Sequence, residues 1–389
     1  MSEISYLEKL LDGADVEWLS LGKILVRTKG TKITAGQMKV LHKDNAPLKI
    51  FAGGKTVAFV DYKDIPEKDI NRKPSIIVKS RGVIEFEFYD KPFSHKNEMW
   101  SYHSKNETIN IKYIYYFLKM NEAYFQKIGG KMQMPQISTP DTDKFRVPIP
   151  CPANPEKSLA IQSAIVRILD KFTALTAELT AELSMRKKQY NYYRDQLLSF
   201  DDGGAEWKTL GELAENLDSK RKPITSGLRE AGNIPYYGAS GIVDYVKDYI
   251  FEGDFLLVSE DGANLLARNT PIAFSISGKT WVNNHAHVLK FDTYAERRYV
   301  EYYLNSIDLT TYISGAAQPK LNKKNLESIR IPNPSPEEKE RIVSILDKFD
   351  ALTNSITEGL PREIELRQKQ YEYYRDMLFS FPKQEVAEA

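Results

Sequence analysis

The sequence predicts a mixed α/β (α+β) protein with two globular domains, separated by a pair of long antiparallel coiled-coil helices and related by a pseudo-twofold internal repeat. The first observation is that IVRILDKFTALT at 165–176 returns as IVSILDKFDALT at 342–353, and RKKQYNYYRDQLLSF at 186–200 returns as RQKQYEYYRDMLFSF at 367–381. The second is that these repeated segments carry apolar residues at the heptad spacing of long helices. The third is that the stretches between them are rich in turns and short alternating apolar runs, as in β-strands.

Weaker echoes extend the repeat upstream in the same order. VEWLSLGKI at 16–24 resembles AEWKTLGEL at 205–213, KYIYYFLK at 112–119 resembles RYVEYYLN at 298–305, and IPCP at 149–152 resembles IPNP at 331–334. Each half has the size of a domain and is far longer than a solenoid repeat. We therefore predict four segments. They are a first domain with a short N-terminal segment at 1–150, a central helix at 151–204, a second domain at 205–332 and a C-terminal helix at 333–389.

The two domains diverge most over 25–110 and 214–297. One interpretation is a shared framework that carries two differently specialised surfaces, and the other is ordinary loop drift after duplication. The two domains differ in net charge. Residues 1–150 hold 24 Lys and Arg against 18 Asp and Glu, a net +6, whereas residues 205–332 hold 15 Lys and Arg against 16 Asp and Glu, a net −1. A basic surface favours contact with phosphate, so charge indicates a polyanionic partner for the first domain only.

The central helix has a clear predicted start. Asn154 is a good N-cap, Pro155 suits the first helical position and Glu156 suits the first turn. No Gly or Pro interrupts 156–200, which predicts a helix of roughly 67 Å. The second copy begins at Ser335-Pro336, and Gly359 and Pro361 predict a break or kink within it.

Two long helices with narrow apolar seams are expected to pack on each other. They can serve as a spacer between the domains or as a plain dimerisation element, and the seam alone leaves both open. The tetrapeptide TAEL occurs twice in succession at 176–183 and favours a spacer, because each unit would lengthen the helix by about 6 Å.

Known catalytic motifs are absent from the sequence. There is no phosphate-binding G-x-x-x-x-G-K-[ST] loop, no G-x-G-x-x-G, no H-E-x-x-H, no nucleophile elbow and no amino-methyltransferase Asp-Pro-Pro-Tyr or Asn-Pro-Pro-Tyr signature. His285 and His287 alternate without ligand-spaced partners, so a structural role in a strand is preferred to a metal site. A single cysteine, Cys151, excludes an intramolecular disulfide. Together with the lack of an evident signal sequence, this predicts a cytoplasmic protein.

Polar and aromatic residues concentrate in glycine-containing loops of both domains. IFAGGKTVAF at 50–59 aligns with IPYYGASGIV at 234–243, KSRG at 79–82 with SEDG at 259–262, and GGKMQMPQIS at 129–138 with GAAQPKLN at 315–322. Side chains of this kind can contact base edges or phosphates. For any single residue, a solvated surface role remains the competing interpretation.

The doubled helical motifs, together with EWKTLGEL, YYGASG and IRIPNPSPEEKERIVSIL, resemble the specificity (S) subunits of type I restriction-modification enzymes over essentially the whole chain. The doubled TAEL makes the chain resemble the IC subfamily of these subunits. The resemblance implies that each divergent domain is a target recognition domain for one half of a split DNA sequence. It also implies that the paired helices dock two methyltransferase (M) subunits, which motor-nuclease (R) subunits then join.

The resemblance further implies that this chain is not catalytic and binds no cofactor. The M partner would use S-adenosylmethionine to methylate adenine, and the R partner would use ATP and Mg²⁺. The number of TAEL units would track the unread DNA spacer, and two units resemble the shorter-spacer class. Segment 1–15 would pack near the end of the C-terminal helix, because LLDGADVEW at 10–18 echoes LLSFDDGGAEW at 197–207.

Loop position and residue type select the predicted contacts. Those with DNA are Lys55, Lys79, Arg81 and Gln133 in the first domain, and Lys220, Arg221, Tyr237, Ser240, Lys279, Asn284 and Lys320 in the second. The predicted docking residues on the helices are Leu175, Leu179, Tyr190, Tyr193, Leu352, Ile356, Tyr371 and Tyr374. Two other hypotheses remain open. One is a coiled-coil adaptor that joins two protein partners without reading DNA, and the other is a self-sufficient nuclease or methyltransferase.

Overall fold

The chain divides into two compact units. The computed structural model describes residues 6–11, 13–131, 133–200, 204–315 and 318–382. Unit 1 comprises Met1–Glu178 and Ile364–Ala389, and unit 2 comprises Leu179–Glu363. Parts of all four predicted segments, namely 1–5, 12 and 132, 201–203, 316 and 317, and 383–389, lie outside the described residues.

The elements of the first half of the chain alternate between short helices and strands before one long helix. The helices are α1 Tyr6–Leu11, α2 Leu21–Ile24, α3 Ala35–Leu41, α4 Ile111–Met120, α5 Glu122–Gly129, α6 Thr139–Asp143 and α7 Pro155–Leu198. The strands are β1 Val16–Ser20, β2 Leu25–Lys29, β3 Leu48–Phe51, β4 Val57–Val60, β5 Ser75–Lys79, β6 Glu85–Tyr89, β7 Phe93–His95, β8 Trp100–Ser104 and β9 Arg146–Pro150.

The second half follows a similar order. Its helices are α8 Leu210–Leu213, α9 Asn264–Ala267, α10 Tyr294–Ser306, α11 Lys323–Glu327, α12 Pro336–Asn354 and α13 Gly359–Leu378. Its strands are β10 Glu206–Thr209, β11 Glu215–Asn216, β12 Ala231–Gly238, β13 Gly241–Val246, β14 Phe251–Ser259, β15 Ala273–Val282, β16 Ala286–Lys290 and β17 Arg330–Asn333.

Both units build the same strand pairing, with one difference. Unit 1 has a four-stranded sheet in the order β2-β8-β5-β6 and a three-stranded sheet in the order β4-β3-β7, in which β3 and β7 are parallel. Unit 2 has one six-stranded sheet in the order β11-β16-β14-β15-β12-β13, in which β12 and β15 are parallel. The long strand β15 pairs with both β14 and β12, whereas in unit 1 the equivalent pairings are made by two separate strands, β6 with β5 and β7 with β3. Pro92 lies between β6 and β7, and a proline supplies no ladder hydrogen bond.

A helix of each unit packs its apolar face on the start of a repeated helix. In unit 1 the side chain of Asn110 caps α4 by accepting hydrogen bonds from the backbone N–H groups of Lys112 and Tyr113. The apolar residues of α4 then share one core with the beginning of α7, which contributes Ile161, Ile165, Val166 and Leu169. In unit 2 the apolar residues of α10 share a core with Ile342, Val343 and Leu346 of α12. The first turns of both repeated helices therefore belong to globular cores.

The predicted helix boundaries are confirmed at the N-terminus of α7 and at the break in the second copy. The Asn154 side chain accepts a hydrogen bond of 3.0 Å from the backbone N–H of Lys157, and α7 begins at Pro155. The second copy is interrupted after Asn354 and resumes at Gly359, which has a φ of 74°. A Cβ atom on Gly359 would lie 2.3 Å from the carbonyl oxygen of Ala351, so this turn requires glycine.

One predicted alignment is wrong. The sequence comparison matched IPCP at 149–152 with IPNP at 331–334, but the strand registers match different residues. Trp18 of β1 lies opposite Pro148, and Trp207 of β10 lies opposite Pro332. The hydroxyl of Tyr113 donates to the carbonyl oxygen of Pro148, as Tyr299 does to that of Pro332. The equivalent segment of the first half is therefore VPIP at 147–150, and the last two residues of IPCP lie beyond the strand.

The expected packing of the N-terminal segment against the end of the C-terminal helix is confirmed. Leu11 shares the core of unit 1 with Leu378 and Phe379. The indole N–H of Trp18 donates to the carbonyl oxygen of Pro382 at 3.0 Å. The matched contacts in the two units confirm the mixed α/β class and the internal repeat.

No helix in the described ranges combines the length and the apolar composition that are needed to cross a bilayer.

Candidate nucleic-acid interface and helix surfaces

The aligned loops of unit 1 form a backbone bridge, which we call the first clamp (residues 80–82 and 135–137). Gly82 N–H donates to the carbonyl oxygen of Pro135 at 2.9 Å, and Ile137 N–H donates to that of Ser80 at 3.0 Å. On the outside, Nε and Nη2 of Arg81 donate to the side-chain oxygen of Gln136 at 3.2 and 3.0 Å. The Arg81 and Gln136 side chains are both exposed, so the clamp presents polar groups to solvent on a fixed backbone.

The other predicted DNA contacts of unit 1 have different surroundings. Lys55 is exposed in the turn between β3 and β4, and Gln133 is exposed just before the first clamp. Lys79 is buried, and its ammonium lies 2.5 Å from Glu85 and 2.9 Å from Glu87. Burial alone would lower the pKa of Lys79, but the hydrogen bonds to the two carboxylates outweigh it and raise the pKa. The Lys79 charge is therefore already compensated within unit 1, although a contact of Lys79 with DNA stays a prediction.

A cleft of about 1070 Å³ opens beside the sheets of unit 1. It gathers the basic run Arg27, Lys29 and Lys32 with the more distant Lys68. Asp64 and Asp69 also line it, and Arg27 forms an ion pair with Asp143. The lining has a positive balance and suits an anionic group such as a phosphate.

Unit 2 contains the equivalent second clamp (residues 260–262 and 319–321). Gly262 N–H donates to the carbonyl oxygen of Pro319 at 3.3 Å, and Leu321 N–H donates to that of Glu260 at 2.7 Å. Asp261 and Lys320 form the bridged pair, as Arg81 and Gln136 do in unit 1. The two alignments of these loops from the sequence are therefore confirmed.

An ion-pair network lies beneath the second clamp. Arg221 contacts Glu260 at 2.6 Å and Asp218 at 3.3 Å, while Lys320 contacts Glu260 at 3.1 Å. The ring of His287 lies 2.6 Å from Asp218 through Nδ1 and 2.7 Å from the carbonyl oxygen of Leu321 through Nε2. Both ring nitrogens of His287 therefore lie within hydrogen-bonding distance of an oxygen acceptor, which fixes the ring beneath the clamp.

The network lowers the pKa values of its two carboxyl groups. Burial alone would raise the pKa of Asp218, but the hydrogen bond and charge of His287, the backbone N–H of Val288 and the charge of Arg221 lower it. Burial would likewise raise the pKa of Glu260, and the hydrogen bonds from Arg221 and Lys320 lower it. Both groups are held as carboxylates.

The same residues have the composition of a metal site, but their contacts favour the ion-pair assignment. Asp218, Glu260 and His287 bring ligand atoms within 4.8 Å of one another. The guanidinium of Arg221 and the ammonium of Lys320 already compensate the carboxylates that a metal ion would need. Arg221 is only 13% exposed in its side chain, so this predicted DNA contact acts chiefly within the network.

Three further predicted DNA contacts of unit 2 lie around the second clamp or on the same sheet. Ser240 is exposed in the turn that joins β12 and β13, and Tyr237 is half-buried against Phe274 just before it. Asn284 is exposed in the loop that precedes β16. The hydroxyl of Ser259 donates to the carbonyl oxygen of Ala239, which ties this hairpin turn to the end of β14.

Two of the predicted lysines lie apart from the clamp residues. The Lys279 ammonium lies over the ring of Tyr249 at 4.6 Å from its centroid. Lys220 is exposed in the one-turn 3₁₀ helix Asp218–Lys220. Nothing in the described part of unit 2 contradicts either contact, and both stay predictions.

The predicted docking residues form matched aromatic contacts in the two units. Phe172 stacks on Tyr374 in unit 1 with 5.3 Å between ring centroids, and Tyr193 stacks on Phe349 in unit 2 at 5.7 Å. The other residues of this set are half-buried or exposed, namely Leu175, Leu179, Tyr190, Leu352, Ile356 and Tyr371. Ile356 is 80% exposed because it lies in the break between α12 and α13.

Two exposed tyrosines next to these contacts are absent from the predicted set. Tyr192 is 61% exposed and Tyr373 is 67% exposed, and each lies edge-on to the tyrosine that follows it. The sequence signal was available, because both belong to the repeated YYRD motif. Neither tyrosine lies on the apolar seam from which the docking residues are predicted. Asp261 and Gln136 of the clamps were also missed, because the selection from aligned loops favoured cations.

The family model described as "Type I restriction modification DNA specificity domain" matches residues 32–185 and 204–366, one match in each half. The specificity subunit of the type I restriction enzyme EcoR124I/EcoR124II of Escherichia coli is 43% identical, with 99% of both chains covered. The EcoprrI specificity subunit of the same species is 36% identical over 92% of this chain and 93% of that protein.

The fold also has a solved counterpart. The crystal structure of the type I restriction-modification S subunit from M. genitalium superposes with a TM-score of 0.66 at 17% identity. The superposition covers 96% of this chain and 98% of that one. At this identity the likeness supports the fold, which the structures share over nearly their full lengths.

Proposed function

The chain belongs to the family of type I restriction-modification DNA specificity proteins, and from this premise we propose that it selects the DNA sequence on which its partner subunits act. It is a DNA-binding specificity subunit and is not itself catalytic. The observation that carries the proposal is that both halves match the DNA specificity domain, while each unit holds the same clamp with different side chains.

The target is split into two parts. We assign one half-site to the domain at 1–150 and the other to the domain at 205–332. The support is that the backbone framework of the two domains is shared, whereas the charge of their loops is not. A repeated framework with different exposed groups suits two different short sequences, because base edges are distinguished by their pattern of donors and acceptors.

The partners are the M and R subunits of a type I system together with DNA. The finer proposal is that two copies of the M subunit dock on the two matched helix surfaces. It rests on the duplication of those surfaces, since two similar surfaces on one chain can bind two copies of one partner. The stacked pairs Phe172–Tyr374 and Phe349–Tyr193 are the framework of each surface.

The proposal includes the cofactors of the complex and its location in the cell. The chain binds no cofactor itself, whereas S-adenosylmethionine serves adenine methylation in the M partner and ATP with Mg²⁺ serves the R partner. The single cysteine is consistent with a cytoplasmic complex.

A domain exchange tests the proposal. Residues 205–332 are replaced by the equivalent segment of a relative with a different target, and the purified complex with M subunits is bound to duplexes that carry each combination of half-sites. We expect one half-site preference to change and the other to remain. Equal binding to all duplexes before and after the exchange would instead support an adaptor that does not read DNA. Methylation or cleavage by this chain alone would contradict the non-catalytic assignment.

A further inference from the structure

We propose that three matched side chains in each unit form a base-reading site, and that the two sites have opposite polarity. We call Arg81, Glu98 and Gln136 the first triad, and Asp261, His285 and Lys320 the second triad. The inference rests on the proposed function and adds which residues distinguish bases and which base edges each unit prefers.

Backbone contacts establish that the triads are equivalent. The clamps match Arg81 with Asp261 and Gln136 with Lys320. Glu98 and His285 are matched because the backbone carbonyl oxygen of each accepts a hydrogen bond from the same clamp position. The hydroxyl of Ser80 donates to the carbonyl of Glu98 at 2.6 Å, and the backbone N–H of Glu260, which is equivalent to Ser80, donates to the carbonyl of His285 at 2.9 Å.

The loop that carries the third residue starts in the same way in both units. Lys96 N–H donates to the carbonyl oxygen of Phe51 at 2.9 Å, and Asn283 N–H donates to that of Tyr237 at 3.0 Å. Phe51 is the last residue of β3, and Tyr237 lies near the end of β12. Each of these strands is the first strand of a hairpin and also pairs in parallel with another strand, which is β7 in unit 1 and β15 in unit 2. Four segments of the chain therefore meet at corresponding places in the two units.

The charge is inverted at the first matched position, and an imidazole takes the place of a carboxylate at the third. Arg81 in unit 1 is replaced by Asp261 in unit 2, and Glu98 is replaced by His285. In unit 1, burial would raise the pKa of Glu98, but the hydrogen bond from Lys96 and the charges of Lys96 and Arg81 lower it, so Glu98 is an anion near a cation. In unit 2 the His285 ring lies 2.9 Å from the Asp261 carboxylate. One framework thus presents a guanidinium at the first position in unit 1 and a carboxylate at the equivalent position in unit 2.

The exposed groups retain hydrogen-bonding capacity. Arg81 directs Nε and Nη2 to Gln136, which leaves Nη1 for another acceptor. The Asp261 carboxylate faces one ring nitrogen of His285, and a carboxylate has room for several donors. Arg81 is exposed and Asp261 is half-buried, so both can be approached from solvent.

The chemistry of base edges then assigns a preference to each triad. Guanine presents the acceptors N7 and O6 in the major groove, and arginine is the side chain that pairs with them most often. Cytosine and adenine present amino donors, which a carboxylate accepts. The first triad therefore reads guanine through Arg81, and the second triad reads the amino group of cytosine or adenine through Asp261.

The test measures discrimination between bases by the complex with M subunits. Duplexes carry the motif that is methylated in cells, with each base pair of each half-site changed in turn. For Arg81→Ala we expect discrimination at one guanine of one half-site to fall by about 5- to 150-fold, with the other half-site unaffected. Asp261→Asn should do the same at one amino-bearing base of the other half-site. Lys55→Ala is the matched control, since loss of an exposed cation outside the triads should weaken binding to all sequences alike.

The outcomes separate this inference from the proposed function. Unchanged discrimination at every position in both variants, or a uniform loss like that of Lys55→Ala, would overturn the triads while leaving the split target intact. No preference for a two-part sequence in the unaltered complex would overturn the proposed function itself. If Arg81→Ala reduces the melting temperature, Arg81→Lys serves in its place, because it keeps the charge and loses the planar fork, and the same loss of discrimination is expected.

Discussion

At the scale of single residues, an aspartate in each copy of the LDKF motif ties the repeated helix to its own unit. Asp347 of α12 accepts hydrogen bonds from Arg298 at 2.9 Å, Tyr302 at 2.6 Å and Tyr294 at 2.7 Å. In unit 1 the equivalent Asp170 accepts from Lys112 at 2.9 Å and from Tyr116. The same polar contact therefore holds both helices, with arginine and lysine exchanged.

Replacement of this aspartate should destabilise unit 2. Asp347→Asn removes the charge that Arg298 and Tyr302 share, and we expect a loss of about 1–3 kcal/mol in the free energy of unfolding, measured in urea. Asp376→Asn is the matched control, because Asp376 is 61% exposed and contacts only its neighbour Arg375 among the described residues. It should change stability by less than about 0.5 kcal/mol. Equal losses in the two variants would show that the Asp347 contacts do not stabilise the fold.

The ion-pair network beneath the second clamp makes unit 2 sensitive to acid. The pKa values of Asp218 and Glu260 lie below their ordinary values of 3.8 and 4.5. Groups with lowered pKa values add stability above their ordinary values, and that stability is lost as the pH falls through the lowered ones.

We therefore expect Asp218→Asn to lower the unfolding free energy near neutral pH and to flatten its decline below about pH 5. The measurement is a series of urea unfolding curves from about pH 7 to about pH 3. Asp195→Asn, at a carboxylate that is 61% exposed, should leave the decline as it is in the unaltered chain. A parallel decline in Asp218→Asn and the unaltered chain would contradict the role of the network.

Single residues were the hardest part to predict from sequence. Arg81 and Gln136 are 55 residues apart, and nothing local in either segment indicates that their side chains meet. Lys79 has the residue type of a DNA contact, yet the alternation in EFEFY places Glu85 and Glu87 on its side of the sheet. Pairing between strands decides such cases, and the sequence of one strand does not contain it.

At the scale of elements, the repeated YYRD motif gives both long helices the same exposed surface. Tyr192 and Tyr373 project from it, and the arginine two residues later contacts the aspartate that follows it in both copies, at 2.7 Å. Exposed aromatic residues are frequent in the centres of protein interfaces. If two M subunits dock as proposed, we expect each to contact one of these two tyrosines.

Removal of the tyrosines should reduce the binding of M subunits stepwise. Tyr192→Ala or Tyr373→Ala alone should weaken one of two binding events by about tenfold or more, and the double variant should weaken both. Isothermal titration with purified M subunit resolves the two events. Tyr245→Ala, at a tyrosine that is 52% exposed on β13, is the control and should bind as the unaltered chain does. A double variant with unchanged stoichiometry and affinity would exclude this surface from docking.

Helices were easier to predict than strands. The cap and proline at 154–155 predict the first residue of α7, and glycine at 359 marks the break before α13, because both signals are local. The heptad pattern did not reveal that Ile161, Ile165 and Leu169 belong to the core of unit 1, since an apolar stripe has the same spacing whatever covers it. The joining of β12 and β15 into one sheet is likewise a long-range property.

At the scale of the whole molecule, we expect the repeated tetrapeptide TAEL to relate the length of α7 to the spacing of the target. Both copies, at 176–183, lie within the continuous helix Pro155–Leu198. A third copy after Leu183 would add about 6 Å and about 40° of rotation to the helix. We expect the unread gap in the target to widen by one or two base pairs, because base pairs rise about 3.4 Å each.

The two half-sites themselves should remain as they are in that insertion variant. A control insertion of four residues in the exposed turn at 53–55, outside α7, should leave the gap unchanged. An unchanged gap after the TAEL insertion, in a complex that still methylates DNA, would contradict a spacer role for α7.

We infer that this chain selects a two-part DNA sequence for its methyltransferase partner. The most direct measurement is the map of methylated adenines across the genome of cells that express the chain together with its M subunit, compared with cells that express the M subunit alone. We predict new methylation at one motif made of two short words separated by a gap of fixed length. A methylation pattern identical to that of cells without the chain, despite a purified complex with M subunits, would contradict the account.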